Sequence, residues 1–185
     1  MYIPKRAAND AEPWTSFGSD RLSYEKWIPE VCGICCLKMV GDTFGVTNSV
    51  TLFEITGMAI ANGTFVVGLD GVVAGAYHRP LAELFESFGF ACELVRVLDT
   101  PRLLDALREG SYAILSIDMS KLVPGKVSGH LVLVYGHDDE SDEFLLHDCS
   151  SVIQPDGRGV RLNRTTLESF SNRKGLIVAP LGSTT

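Results

Sequence analysis

The sequence predicts an α+β fold, with helices in the first half and antiparallel strands in the second. Three observations carry this. Apolar residues recur at helical spacing after Cys32, again over about 50–61, and again through Leu81, Leu84, Phe85 and Phe88. From Phe90 onward the helical period gives way to short runs rich in β-branched and aromatic residues, each bounded by turn residues. The two patterns are segregated rather than alternating, which separates α+β from α/β.

The elements follow in order. Residues 1–20 are polar, contain Pro4, Pro13 and Gly18, and are expected to form a surface arm. A helix should begin near Cys32, with Cys36, Met39 and Val40 on its buried side. Asn48-Ser49 is placed to cap a second helix over about 50–61, which Gly63 ends. The Gly-rich stretch 66–75 reads as loop or irregular strand. Pro80 marks the first turn of a third helix, stopped by Gly89. Residues 91–97 read as a strand, Thr100-Pro101 opens a helix closed by Gly110, and 112–117 is a strand. Residues 130–135 and 144–148 form a hairpin, and strands at 160–162 and 176–179 flank a helical turn near 165–171. With no internal repeat, 21–180 is read as one domain and 181–185 as a tail.

The 185 residues are enough for a real core. A net charge of −7 without a Lys/Arg cluster argues against nucleic acid and against an anionic membrane surface. No apolar run approaches the ~20 residues of a spanning helix. No apolar segment follows Lys5-Arg6, and the five cysteines are an odd number, so reduced thiols and a cytoplasmic location are expected.

The chemistry-bearing residues start with the hairpin. If its strands pair symmetrically about the acidic loop, His130 faces Asp148, Val132 faces Leu146 and Val134 faces Phe144, all on one side. Asp148 can then orient the His130 imidazole, as the third member of a catalytic triad does. The alternative is a structural His–Asp bond at the end of the sheet. Cys32 at a helix start meets the positive end of the dipole, which favours a thiolate nucleophile. Gly33 would let a substrate carbonyl approach. Cys36 should face the core, and Cys35 is open between the two roles. Cys32 and Cys35 could also form a redox pair, or bind zinc with His147 and Cys149, although the fold setting and ligand spacing fit neither well. His78 is a candidate for the substrate cleft or for a surface or capping position. His137 lies in an acidic loop that suggests calcium but lacks the spaced ligands of an EF-hand and reads better as a solvated turn.

Three segments share one order and spacing: Cys32-Gly-Ile-Cys-Cys-Leu-Lys-Met-Val, Gly129-His130 followed by an apolar strand and Gly136, and the strand ending at Asp148. In these the sequence resembles the papain-like peptidases related to the bacteriocin-processing, double-glycine leader peptidases. Leu52-Phe-Glu, Gly75-Ala-Tyr-His-Arg-Pro-Leu and Ala113-Ile-Leu-Ser-Ile-Asp extend the likeness over most of 30–180. The resemblance implies a papain-like fold with the nucleophile at a helix N-terminus packed on an antiparallel sheet. It implies Cys32 as nucleophile, His130 as base and Asp148 as orienter, with Gly129 beside the cleft and no metal or cofactor.

One departure bears on mechanism. Such enzymes carry a Gln shortly before the nucleophile as oxyanion donor; Lys26 stands there, and Gln154 is the chain's only Gln. Lys26, Trp27 or a backbone N–H would have to supply the hole, or hydrolytic power is reduced. The expected activity is therefore acyl transfer through an acyl-Cys32 thioester, with hydrolysis of a peptide or amide leading. Amide formation from an acyl thioester, such as one on a carrier protein, is the alternative. A silent papain-like binding module is the rival from another class.

Overall fold

The computed structural model describes residues 1–4 and 12–181. Two short helices come first, α1 (Pro13–Phe17) and α2 (Arg21–Trp27), followed by α3 (Cys32–Thr43) and α4 (Leu52–Ala61). A small hairpin, β1 (Phe65–Val67) and β2 (Val73–Gly75), precedes α5 (His78–Ser87). The second half runs β3 (Phe90–Val95), α6 (Thr100–Arg108), β4 (Tyr112–Asp118), β5 (Gly129–Asp138), β6 (Glu143–His147), β7 (Val160–Asn163), α7 (Arg164–Phe170) and β8 (Ser171–Pro180). Helices precede strands, as the sequence predicts.

Capping chemistry sets most helix starts. The Asp20, Asp99 and Asn163 side chains accept from the backbone N–H of Ser23, Arg102 and Thr166. The start of α4 is a correction: Thr51, rather than Asn48-Ser49, is the cap, in a reciprocal capping box with Glu54. Helices α1, α3 and α5 have no side-chain cap, and at α3 the residue in the cap position is Val31. The positive end of the α3 dipole is thus left for whatever lies beyond Cys32.

The main sheet has six strands in the order β3-β8-β4-β5-β6-β7, and every neighbouring pair is antiparallel. Both faces are covered. Ile114, Leu131, Leu133, Leu176 and Val178 pack with α2 to α5. Leu115, Val132, Val134, Phe144 and Ile177 pack with α6 and α7 on the other side. Burial on both faces explains why 113–117 and 131–134 are almost continuously apolar instead of alternating. The central strands β4 and β5 also carry α3: the Cys36 Sγ lies 3.9 Å from the Leu131 carbonyl oxygen. Cys35 and Cys36 are both fully buried, so Cys35 joins the core as well.

Two expectations about the ends and the Gly-rich stretch are revised. The stretch 66–75, expected as loop or irregular strand, holds two short strands, 65–67 and 73–75, paired as a hairpin around a turn. The arm does not end at residue 20, because Phe17 is 2% exposed and stacks edge-on with Tyr24 at 5.5 Å. An aromatic ring placed next to α2 gains more by burial than by solvation, so the core reaches into the expected arm. Residues 5–11 of that arm and 182–185 of the tail lie outside the described residues. Among the described residues no helix is long and apolar enough to cross a membrane.

Phe17 gives a direct test of where the domain begins. Phe17→Ala should cost about 3 kcal/mol, a fall in Tm of roughly 6–12 °C for a chain of this size. An unchanged melting curve would restore the arm to the surface.

Candidate active site

Three structural ends converge on one cleft of about 220 Å³. Cys32 is the first residue of α3 and is 8% exposed. His130 enters β5 opposite Ile117 of β4 and is 5% exposed. Asp148 follows the last residue of β6 and has no exposed surface. Cys32 and His130 both line the cleft, and Asp148 sits behind the imidazole.

The His130 Nε2 lies 2.7 Å from the Asp148 Oδ1. A carboxylate at that distance only accepts, which places the ring proton on Nε2 and leaves Nδ1 for the hydrogen bond to Cys32. Burial pushes the imidazole toward its neutral form, but the bonds to Asp148 and Cys32 and the charge on Cys32 outweigh it, and the His130 pKa is raised. Burial likewise acts to raise Asp148, yet the bond to His130, the charge there and the N–H groups of Ile153 and Ser150 hold its carboxyl below the usual range.

Asp148 does more than face His130. Its Oδ1 also accepts from the Ser150 N–H at 3.0 Å, and its Oδ2 accepts from the N–H groups of Val152 at 2.7 Å and Ile153 at 2.9 Å. Ser150 and Val152 belong to the cleft wall. One carboxylate therefore orients the imidazole and folds the adjacent wall.

The pairing behind this contact differs from the symmetric hairpin expected. Beside the acidic loop, Asp138 pairs with Glu143 and His137 with Phe144; beyond an irregularity at Tyr135, Val134 pairs with Leu146 and Leu133 with His147. Continued from the loop, the first register would set Asp148 against Leu133, whose side chain packs on the α3 side. The extra residue at Tyr135 moves it by one, level with Val132, and the strand period of two then gives Asp148 the parity of His130. The two meet diagonally, a spacing that an imidazole bridges.

The other sequence candidates separate clearly. Gly129 lines the cleft. Gly33 does not: a Cβ there would lie 2.9 Å from Leu81 and 3.1 Å from Leu131, so it is a packing glycine beneath the helix start. Lys26 is exposed, with its Nζ 5.4 Å above the Trp27 ring, while Trp27 is buried 5.7 Å from Phe65. Neither lines the cleft, because α2 ends at Trp27 and the chain turns before α3. His78 is half-buried at the start of α5, also off the cleft, and its Nε2 is enclosed without a hydrogen-bond partner. Burial, then the charge of Lys174, lowers its pKa. His147 accepts from the Gly159 N–H and stacks on Tyr135 at 4.5 Å. His137 bridges Asp139 and Asp142 at 3.0 and 3.1 Å, which ties the acidic turn together. Among the described residues, no cluster of His, Cys, Asp and Glu could hold a metal ion.

Reading the sequence missed Glu30, Met119, Lys126 and Ser128, which also line the cleft. Lys126 and Ser128 had a signal available, since they immediately precede Gly129-His130.

No family model and no curated protein match the sequence. The likeness is structural. The peptidase domain of Streptococcus ComA, a bifunctional ABC transporter of a quorum-sensing pathway, matches with TM-score 0.57 over 82% of this chain and 93% of its own, at 16% identity. The fold is that of a C39 peptidase domain. A C39-like peptidase from Bacillus anthracis matches at TM-score 0.54 and 12% identity, over 80% of this chain and 88% of its own. A double-glycine-motif protease from an AMS/PCAT transporter, solved with a leader peptide, matches at TM-score 0.51 and 17% identity, over 80% and 84%. The C39 fold places its helices and sheet as the sequence resemblance implies.

The raised His130 and lowered Asp148 have a measurable consequence. An imidazolium held beside Cys32 favours the thiolate, so alkylation of Cys32 by iodoacetamide should already be fast near pH 6, well below the range of an ordinary thiol at about 8.5. Its acid limb reports protonation of the thiolate, and only above the raised His130 pKa should the partner charge be lost. Asp148→Asn should move the acid limb upward and also lower Tm, since an amide cannot accept at both positions. A Cys32 rate that climbs only through the ordinary thiol range would contradict the charge pairing.

Proposed function

We propose that the chain is a cysteine-nucleophile hydrolase acting on a peptide or other amide through an acyl-Cys32 thioester. The observation that carries this reading is the unbroken line from Cys32 through His130 to the buried Asp148, opening on a cleft. The Cys32 thiolate bonds to the substrate carbonyl carbon. The C–N bond then breaks, and the amine leaves with the proton held by His130. Water adds next, passing a proton to the imidazole, and the C–S bond breaks to return the thiolate. Asp148 keeps the imidazole in one tautomer and orientation throughout. A peptide substrate is supported by the leader peptide bound to the AMS/PCAT protease.

The oxyanion needs donors other than the usual Gln. The uncapped start of α3 offers its dipole, and Lys126 adds a cation to the cleft wall besides His130. We assign the supporting charge to Lys126 rather than Lys26. An ammonium on a flexible stem fixes geometry less well than a side-chain amide. That keeps a second reading in play, in which a reactive acyl thioester, as on a carrier protein, acylates Cys32 and an amine resolves it.

Cys32→Ala should abolish turnover and leave Tm nearly unchanged. A catalytically silent binding module would instead show no selective alkylation of Cys32 and no loss on this substitution. Lys126→Met should lower kcat by roughly 10²–10³, the typical loss of one oxyanion donor, while Lys26→Ala should leave it unaltered; the reverse pattern would return the role to Lys26.

Matched peptide and acyl-thioester substrates, each with and without a primary amine, divide the two readings. Steady peptide cleavage independent of the amine is expected. Rapid amide product from the thioester, with negligible peptide cleavage, would transfer the assignment to amide formation.

A further inference from the structure

Asp148 is held through its main chain as well as its carboxylate, and one of those contacts comes from the far end of the sequence. The Tyr2 hydroxyl donates to the Asp148 carbonyl oxygen at 3.0 Å. The same oxygen accepts from the Ser151 N–H at 3.1 Å, and the Asp148 N–H donates to the Gly157 carbonyl at 2.7 Å. Gly157 makes this closeness possible: a Cβ there would lie 1.8 Å from the Asp148 oxygen and 2.8 Å from the Tyr2 hydroxyl.

The Tyr2 ring has two further neighbours. The Arg158 guanidinium carbon lies 5.4 Å from its centroid, and the His147 ring, next to Asp148 in sequence, lies 5.3 Å away. His147 is itself stacked on Tyr135, the extra residue of the β5–β6 irregularity. Arg158, Tyr2, His147 and Tyr135 are thus in successive contact, and they link the residue bonded to the Asp148 carbonyl with the feature that sets the register of Asp148.

We propose that Tyr2 is a positioning residue for Asp148, with its segment acting as a strap that fixes the peptide plane after β6 and so the angle at which the carboxylate meets His130. This rests on the assignment of Cys32, His130 and Asp148 to one reactive site. The physical basis is tolerance: a reactive constellation works within about 0.5 Å and 10–20° of its best geometry. The Asp148 carbonyl belongs to the peptide that leads to Ser150, whose N–H shares Oδ1 with His130. Removing the Tyr2 hydroxyl takes away a contact that reaches this peptide from outside its local turn.

The test uses the full chain and Tyr2→Phe, which retains the ring and its packing. Two readouts are taken against pH: the rate of Cys32 alkylation by iodoacetamide, and the titration of the His130 ring by NMR. Tyr2→Phe should lower the alkylation rate about threefold to tenfold near pH 6, the scale of one hydrogen bond. The His130 titration should move down by a corresponding half to one unit, with the fold intact by Tm. Tyr2→Ala should do at least as much, and Tyr2→Phe should fall between it and the native chain. A His130 titration unmoved in Tyr2→Phe would overturn the strap. If the native chain shows no selective alkylation while the His130 titration still moves on Tyr2→Phe, the Cys32 assignment fails and the positioning of Asp148 by Tyr2 stands.

Discussion

Asp148 has no exposed surface, so its charge has to be satisfied inside the protein. An isolated buried carboxylate costs many kcal/mol unless hydrogen bonds replace its water. Four do: one from His130 and three from the backbone of 150–153. The chain beyond β6 cannot leave in a straight line and meet that demand. It curls around the carboxylate, and the curl delivers Ser150 and Val152 to the cleft. The orientation of the imidazole and the shape of the adjoining wall are therefore two results of one constraint.

That constraint also explains how much of the site was legible in the sequence. Cys32 and the His130–Asp148 pair stand out as candidates because helix starts and strand parity are local properties, while their assignment as a triad comes from the family resemblance. The symmetric hairpin register was off by two residues, yet the His–Asp contact survived it. Strand side chains repeat every two residues, so an even error keeps a residue on its face, whereas an odd one would have separated the pair. The irregularity at Tyr135 supplies the odd step that the turn geometry requires. Gly136 beside it is the only sequence hint of such a bulge, and an isolated glycine in an apolar strand is a weak one.

What could not be read was tertiary. Sequence distance from Cys32 points to Lys26, but the turn between α2 and α3 redirects the chain and leaves Lys26 in solvent. Gly33 reads in the sequence as room for substrate; the room is filled by Leu81 and Leu131, contributed by an element about fifty positions away and another about a hundred. Phe17 and Tyr2 lie in a polar stretch whose composition says surface, and only the packing of α2 and the loop near 157 shows what they cover. Lys126 sits in an exposed loop whose path no periodicity describes.

Likeness of fold at this level of identity carries geometry rather than reaction, so the choice between leaving groups turns on His130. Its raised pKa rests chiefly on Asp148 and Cys32, with a smaller part from Cys149, and the first two differ in lifetime. The bond to Asp148 persists through the reaction. The bond and charge from Cys32 exist only while the sulfur is a thiolate, and they vanish once it bonds to carbon. At that moment burial, which disfavours the imidazolium, is opposed by Asp148 and the nearby Cys149 without the help of Cys32, and His130 becomes a stronger acid. Its proton is thus held while the nucleophile must stay charged and becomes more readily transferred when a leaving group needs it. A thioester leaves as a thiolate and gains little from that release, whereas an amine cannot leave without it. Under the proposed function, the electrostatics around His130 therefore support an amide substrate over a thioester.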